Sequence, residues 1–249
     1  DATDESVTIS HTIAGSDYVG VTSADVTASV TDDDAALISF RGHTYSTVTS
    51  PDTGRVWLDR NLGATQVATS ITDSAAYGDH YQWGRATDGH ESSPPGTTTT
   101  LMTTLSPGTD IYVVNSSYNY PNPLDWTTAD SNGALRVAAW ADGGVNDICP
   151  PGFSVPTEAE LLADTLNATT TPITNIDTAF SNFLKIPAGG FHHNTINGNY
   201  HVGTYSYLWT RSADTNNNSY SRFIRISSSD VISGRVGRVY GHNVRCIQD

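Results

Sequence analysis

Asp142-Gly143-Gly144-Val145-Asn146-Asp147 gathers two carboxylates and a side-chain amide around flexible glycines, just before Cys149. Residues of this type at this spacing could hold a hard cation, which takes six to eight oxygen ligands from a loop that can bend around it. Three further sets share the chemistry. Asp214, Asn216 and Asn218 lie in one polar run, Asp125 and Asp130 bracket Trp126, and Asp88 stands three residues before Glu91. Each set, read alone, is equally a solvated turn whose Asx side chains cap their own backbone. None has the glycine and terminal glutamate offsets of an EF-hand.

Other chemistry is thinly represented. No Gly-x-Ser-x-Gly elbow, phosphate loop or His-Glu-x-x-His zinc helix occurs. His192, His193 and His201 are close in sequence, but adjacent residues on a strand face opposite ways and no third ligand is suitably spaced. Six of the 12 basic residues fall between Arg211 and Arg245. In an acidic chain that excess is a candidate carboxylate receiver, with Arg211 and Arg235 as its contacts. It is equally a set of strand side chains covering a sheet. Tyr118, Tyr120, Trp126, Trp140 and Tyr205 could wall an apolar pocket beside an ion, although tryptophans more often fill a core.

With 26 acidic against 12 basic residues and one lysine, Lys185, the chain is repelled by nucleic acid and anionic membranes. No apolar run approaches the length of a membrane span and no signal peptide opens the chain, so it reads as a soluble fragment of something larger. The only cysteines are Cys149 and Cys246. An even pair in such a chain reads as one bridge in an oxidising compartment rather than as two free thiols.

The elements that would position these groups fall into three regions. Residues 6–12 and 25–31 alternate branched apolar and polar side chains, a hairpin that needs more sheet to be stable. Asp32-Asp33-Asp34 then reads either as an acidic linker or as a junction stiffened by calcium. Short strands are expected at 36–40, 43–48 and 55–58, followed by a long irregular stretch from about 87 to 144, of the kind that is functional or ion-held. Thr157-Glu158-Ala159-Glu160 is a capping box leading into a helix, and Ile176 to Leu184 keep helical spacing. Strands return at 220–227, 231–239 and 243–247. The expected domains are therefore 1–34, a strand segment, and 35–249, a larger α+β domain.

The motifs Arg55-Val56-Trp57-Leu58-Asp59-Arg60-Asn61-Leu62-Gly63-Ala64, Tyr81-Gln82-Trp83-Gly84-Arg85, Cys149-Pro150-Pro151-Gly152-Phe153 and Tyr207-Leu208-Trp209-Thr210-Arg211-Ser212 resemble the bacterial "major paralogous" domain family. That family has a C-type lectin-like fold related to formylglycine-generating enzymes. The N-terminal strands resemble the end of an immunoglobulin-like module of large bacterial adhesins. Together the resemblances imply the ligand-binding region of an RTX adhesin on the bacterial cell surface. They imply a monomeric module that uses Ca2+ to grip the C-terminal peptide of a protein on a host, algal or neighbouring bacterial cell. The Asp142, Asp214, Asp125 and Asp88 sets become the expected calcium ligands, and Cys149–Cys246 the brace behind them. With both cysteines bridged no thiolate remains for chemistry, so a binding module is expected and not an enzyme. Glycan binding is the alternative, weakened because no Glu-Pro-Asn or Gln-Pro-Asp triplet occurs and Tyr120-Pro121-Asn122-Pro123 is only an echo. A structural spacer is the third reading.

Overall fold

The computed structural model describes residues 5–13, 17, 24–30, 37–92, 96–115, 124–195, 198–216 and 218–249. Asp32-Asp33-Asp34, Tyr118 and Tyr120 lie outside these. The chain divides into two compact units, Asp1–Leu37 and Ile38–Asp249. In the first, β1 (Glu5–Ile9) and β2 (Val26–Val30) pair antiparallel with Val7 opposite Ala28. Val7, Ile9 and Val26 are each more than half exposed, so the hairpin encloses no core among its described residues.

The second unit is built from short strands. A two-stranded ribbon, β3 (Ile38–Phe40) and β4 (His43–Tyr45), turns at Arg41-Gly42, where both residues have positive φ. One four-stranded sheet runs β10 (Phe153–Ser154), β17 (Ile247–Gln248), β6 (Val56–Leu58), β5 (Thr47–Thr49). A second runs β12 (Asn199–Tyr200), β11 (Phe191–His192), β16 (Gly241–His242), β7 (Tyr81–Gln82). The longest strands form a meander, β13 (Ser206–Ala213), β14 (Tyr220–Ile226) and β15 (Val231–Gly237). β8 (Thr97–Thr98) and β9 (Tyr112–Val113) pair in parallel.

The α+β expectation is overturned. Three six-residue helices, α1 (Ala134–Ala139), α2 (Glu158–Ala163) and α3 (Ile176–Ser181), together with short 3-10 turns such as Ser74–Ala76, make the described structure 10% helical against 29% strand, and the fold is mainly β. The helix signals are real, since α2 carries the Thr157/Glu160 capping box and α3 a second box on Asn175. What shortens them is side-chain capture at their ends. Asp164, which ends α2, accepts bonds from Ser50 Oγ (2.6 Å), Thr53 Oγ1 (3.0 Å) and Trp57 Nε1 (2.8 Å). Asn182, which ends α3, donates to the Thr171 carbonyl.

Cys149 and Cys246 are bridged across a separation of 97 residues. All five tryptophans are fully buried and every indole N–H has an acceptor. Trp126 and Trp140, expected as ligand contacts, are therefore core: Trp126 donates to the Trp83 carbonyl and Trp140 to that of Arg85. The irregular stretch is held from within by buried arginines. Arg85 donates to the carbonyls of Ile111 (3.1 Å) and Thr109 (2.5 Å), and Arg238 to those of Asp130 and Ser131. Outside that stretch, Arg245 donates to Leu184 O at 2.7 Å. These cations satisfy loop carbonyls that no sheet partner reaches. No helix among the described residues is long and apolar enough to cross a membrane.

Candidate functional site

The β3–β4 turn and the two-residue β7 strand frame a pocket of about 230 Å³. Phe40 and His43, paired across the ribbon, stand at its edge, and the buried Tyr45 lies below them. Gly63 brings the chain past Tyr45, donating its N–H to the Tyr45 hydroxyl at 2.9 Å. It does so at φ +82°, and a Cβ there would lie 2.2 Å from Asp79 Oδ2, so only glycine lets the carboxylate approach the backbone this closely. The backbone of Asp79 is clamped: its N–H donates to Leu62 O, and its own carbonyl accepts from Asn243 Nδ2.

The Asp79 side chain is much less well served. Among the described residues its one hydrogen bond comes from the Tyr81 hydroxyl, at 3.4 Å. Burial, followed by the nearby negative charge of Glu91, pushes its pKa up to about 6, against smaller opposing effects of Tyr81, His90 and Arg41. Glu91 lines the same pocket and differs in one respect. Burial would raise it, but the His90 hydrogen bond and the Gly89 N–H outweigh burial and hold it below the usual glutamate value. Arg41 has its guanidinium 4.9 Å from the Phe40 ring centre and reaches the Asp147 carbonyl at 3.5 Å. Thr87 Oγ1 lies by the Tyr81 hydroxyl without hydrogen-bond geometry.

Behind Glu91, the side chains of Asp88, His90 and Glu91 place one ligand atom each within 4.8 Å of one another. His90 Nε2 accepts the Gln82 N–H at 3.0 Å, which puts the ring proton on Nδ1. That proton points at Asp88 Oδ1 (2.7 Å) and Glu91 Oε2 (3.2 Å). A metal at this position would need the lone pair that the proton occupies. The triad is thus a closed hydrogen-bond set that fixes Glu91 beside the pocket.

The other expected oxygens are largely engaged by protein groups. Asp125 receives a two-pronged bond from Arg136 at 2.6 and 2.7 Å, and Asp130 accepts from the Gly133 and Arg136 N–H groups. Asp88 accepts from Arg85 Nε at 3.0 Å. For Asp88, burial raises the pKa but His90 and then Arg85 outweigh it, leaving the carboxyl below its ordinary range. Asn146 donates to the carbonyls of Gly84 and Leu105. Asp214 caps Asn216 N and meets Arg222 (3.4 Å) and Arg235 (3.3 Å), which gives Arg235 an internal partner. Asn216 and Asn218 are exposed. Asp142 is exposed and accepts from Gly152 N, while Asp147 accepts from Cys149 N and Gly143 N. Tyr205 stacks on His201 at 4.5 Å, away from the pocket lining. Arg211 is half-buried with Nε unpartnered among the described residues.

Asp79 and Tyr45 escaped the reading of the sequence, and Tyr81 was read as part of a motif but not as a site residue. The one local hint is the run Tyr77-Gly78-Asp79-His80-Tyr81, an acid set among rings beside a glycine. No family model, curated protein or solved structure matches this chain, so the reading of its site rests on the residues themselves.

Proposed function

We propose that residues 38–249 form a ligand-binding module, of the kind an extracellular adhesin presents, with the Asp79 pocket as its binding site. The observation that carries this is Asp79 itself. A half-buried carboxylate, given one long hydrogen bond and opened onto a cavity, is unfavourable in the free protein and is relieved by a bound partner. The disulfide suits an oxidising, extracellular setting. Saturation-transfer NMR against a panel of small cationic, neutral and anionic compounds tests the reading, with Asp79→Asn in parallel. At least one class should bind wild type and respond to the substitution. Binding that is absent across the panel, or indifferent to Asp79→Asn, counts against the pocket.

Calcium-dependent capture of a peptide C-terminus is a second reading, favoured by one observation. Asp147 has its pKa raised by burial and then by the charges of Asp142 and Asp249, a like-charge group that Ca2+ would neutralise. Calorimetry with free and amidated peptides, in calcium and in chelator, separates it from the first. Equal binding of the amidated peptide, or full binding in chelator, would sink it.

A further inference from the structure

We infer that the group received by the Asp79 pocket is an organic cation, an alkylammonium or guanidinium head such as Lys and Arg side chains carry, held by the Asp79 and Glu91 carboxylates beside the Phe40 ring. This rests on the pocket being the binding site, and it names the chemistry of what enters.

Charge comes first. Asp79 and Glu91 face the cavity, and Arg41, the cation at its rim, is turned toward the Phe40 ring and the Asp147 carbonyl. An anion entering here would meet two carboxylates. The walls come second. Phe40, partly exposed, offers ring surface above the buried Tyr45 and Tyr81, of which Tyr45 already has the Arg60 guanidinium over its ring at 5.0 Å, and a desolvated cation beside the Phe40 face gains electrostatically. A bare metal ion would gain little from rings and wants six to eight oxygens. Size agrees with this. A volume of about 230 Å³ is several times the ~30 Å³ share of one water, room for a cationic head and part of its alkyl stem. The chain also makes this contact within itself, since Arg41 lies over Phe40 at 4.9 Å.

Binding would be linked to protons. The cation favours ionised Asp79, whose carboxyl titrates at about 6 in the free protein. His43 on the same wall, Glu91, His90 and Arg41 are the other groups facing Asp79, and the Tyr45 and Tyr81 hydroxyls stay neutral, both pushed above the ordinary tyrosine value chiefly by burial. Affinity should therefore fall roughly tenfold between pH 7 and pH 5, as Asp79 takes up its proton.

The test is calorimetry on the 249-residue chain with acetyl-Gly-Lys-Gly-amide, its Nε-acetyl-lysine counterpart, n-butylamine, n-butanol and calcium chloride. The lysine peptide and butylamine should bind saturably, the acetylated peptide and butanol should not, and Asp79→Asn should weaken binding at least tenfold. A peptide tighter than butylamine points to a protein side chain as the source, and equal affinities point to a free amine. If the neutral probes bind as well as the charged ones, or calcium alone binds and Asp79→Asn abolishes it, the inference falls while the pocket stands. If none of the five binds, the inference falls, and the small-compound panel then decides whether the pocket falls with it.

Discussion

Replacing Asp79 by Asn should make the domain more stable at neutral pH, because the native carboxylate is ionised there at a cost. Its pKa is raised from 3.8 to about 6 on folding, so the folded state holds the proton more tightly than the unfolded one. That preference stabilises the fold fully below the unfolded value and is lost as pH rises through about 6. Wild type at pH 7 has lost it, whereas an amide is neutral at every pH. A shift of about two units is worth at most ~3 kcal/mol, and water in an open pocket reduces this, so the expected gain is about 1 to 3 kcal/mol. For a chain of this size that is a rise in Tm of roughly 3 to 10 °C at pH 7. Thermal and urea unfolding at pH 7 and pH 4 read it directly, with the gap closing toward the lower pH. An Asn variant less stable than wild type at pH 7, or a gap that is the same at both pH values, would refute the reasoning. The stability gained should accompany the loss of binding, as expected when a functional group is kept at a structural cost.

Three further outcomes are expected. Changing Cys149 and Cys246 together to Ala releases a loop closed over 97 residues and should cost about 4 to 5 kcal/mol on the chain-entropy model, read as a lower urea midpoint; an unchanged midpoint would show that the bridge contributes little. Arg136→Met leaves Asp125 and Asp130 buried without their main partner and should cost about 3 to 5 kcal/mol, while a loss below ~1 kcal/mol would mean Arg238 takes over. Zinc should shift the Tm of wild type and His90→Gln equally, because His90 Nδ1 carries a proton; a zinc-dependent rise seen only in wild type would make the Asp88–His90–Glu91 triad a metal site.

Local signals in the sequence were legible where the partner is close along the chain. The Thr157 capping box closes over three residues, and the alternation in residues 6–12 and 25–31 forms the β1–β2 pair. The two cysteines could pair in one way only. The helix α1 was not legible, since its N-terminal Gly133 offers no side-chain cap and lies in a stretch without periodicity. The buried arginines were also hidden, because their acceptors are remote, with Arg245 reaching Leu184 across 61 residues. In the stretch expected to be functional or ion-held, Arg85 and Arg238 bind carbonyls of residues 109, 111, 130 and 131. Asp79 was hidden for a similar reason. Its role depends on Gly63, Tyr45 and Glu91, which come from three other segments with no common spacing.

Amide chemical-shift mapping of the isotope-labelled protein, titrated with acetyl-Gly-Lys-Gly-amide at pH 7, tests the central claim most directly. The account predicts saturable shifts at Gly63, Asp79, Tyr81 and Glu91 that vanish with the Nε-acetylated peptide. Shifts confined to the Asp142–Asp147 loop, or unchanged by acetylation, would contradict it.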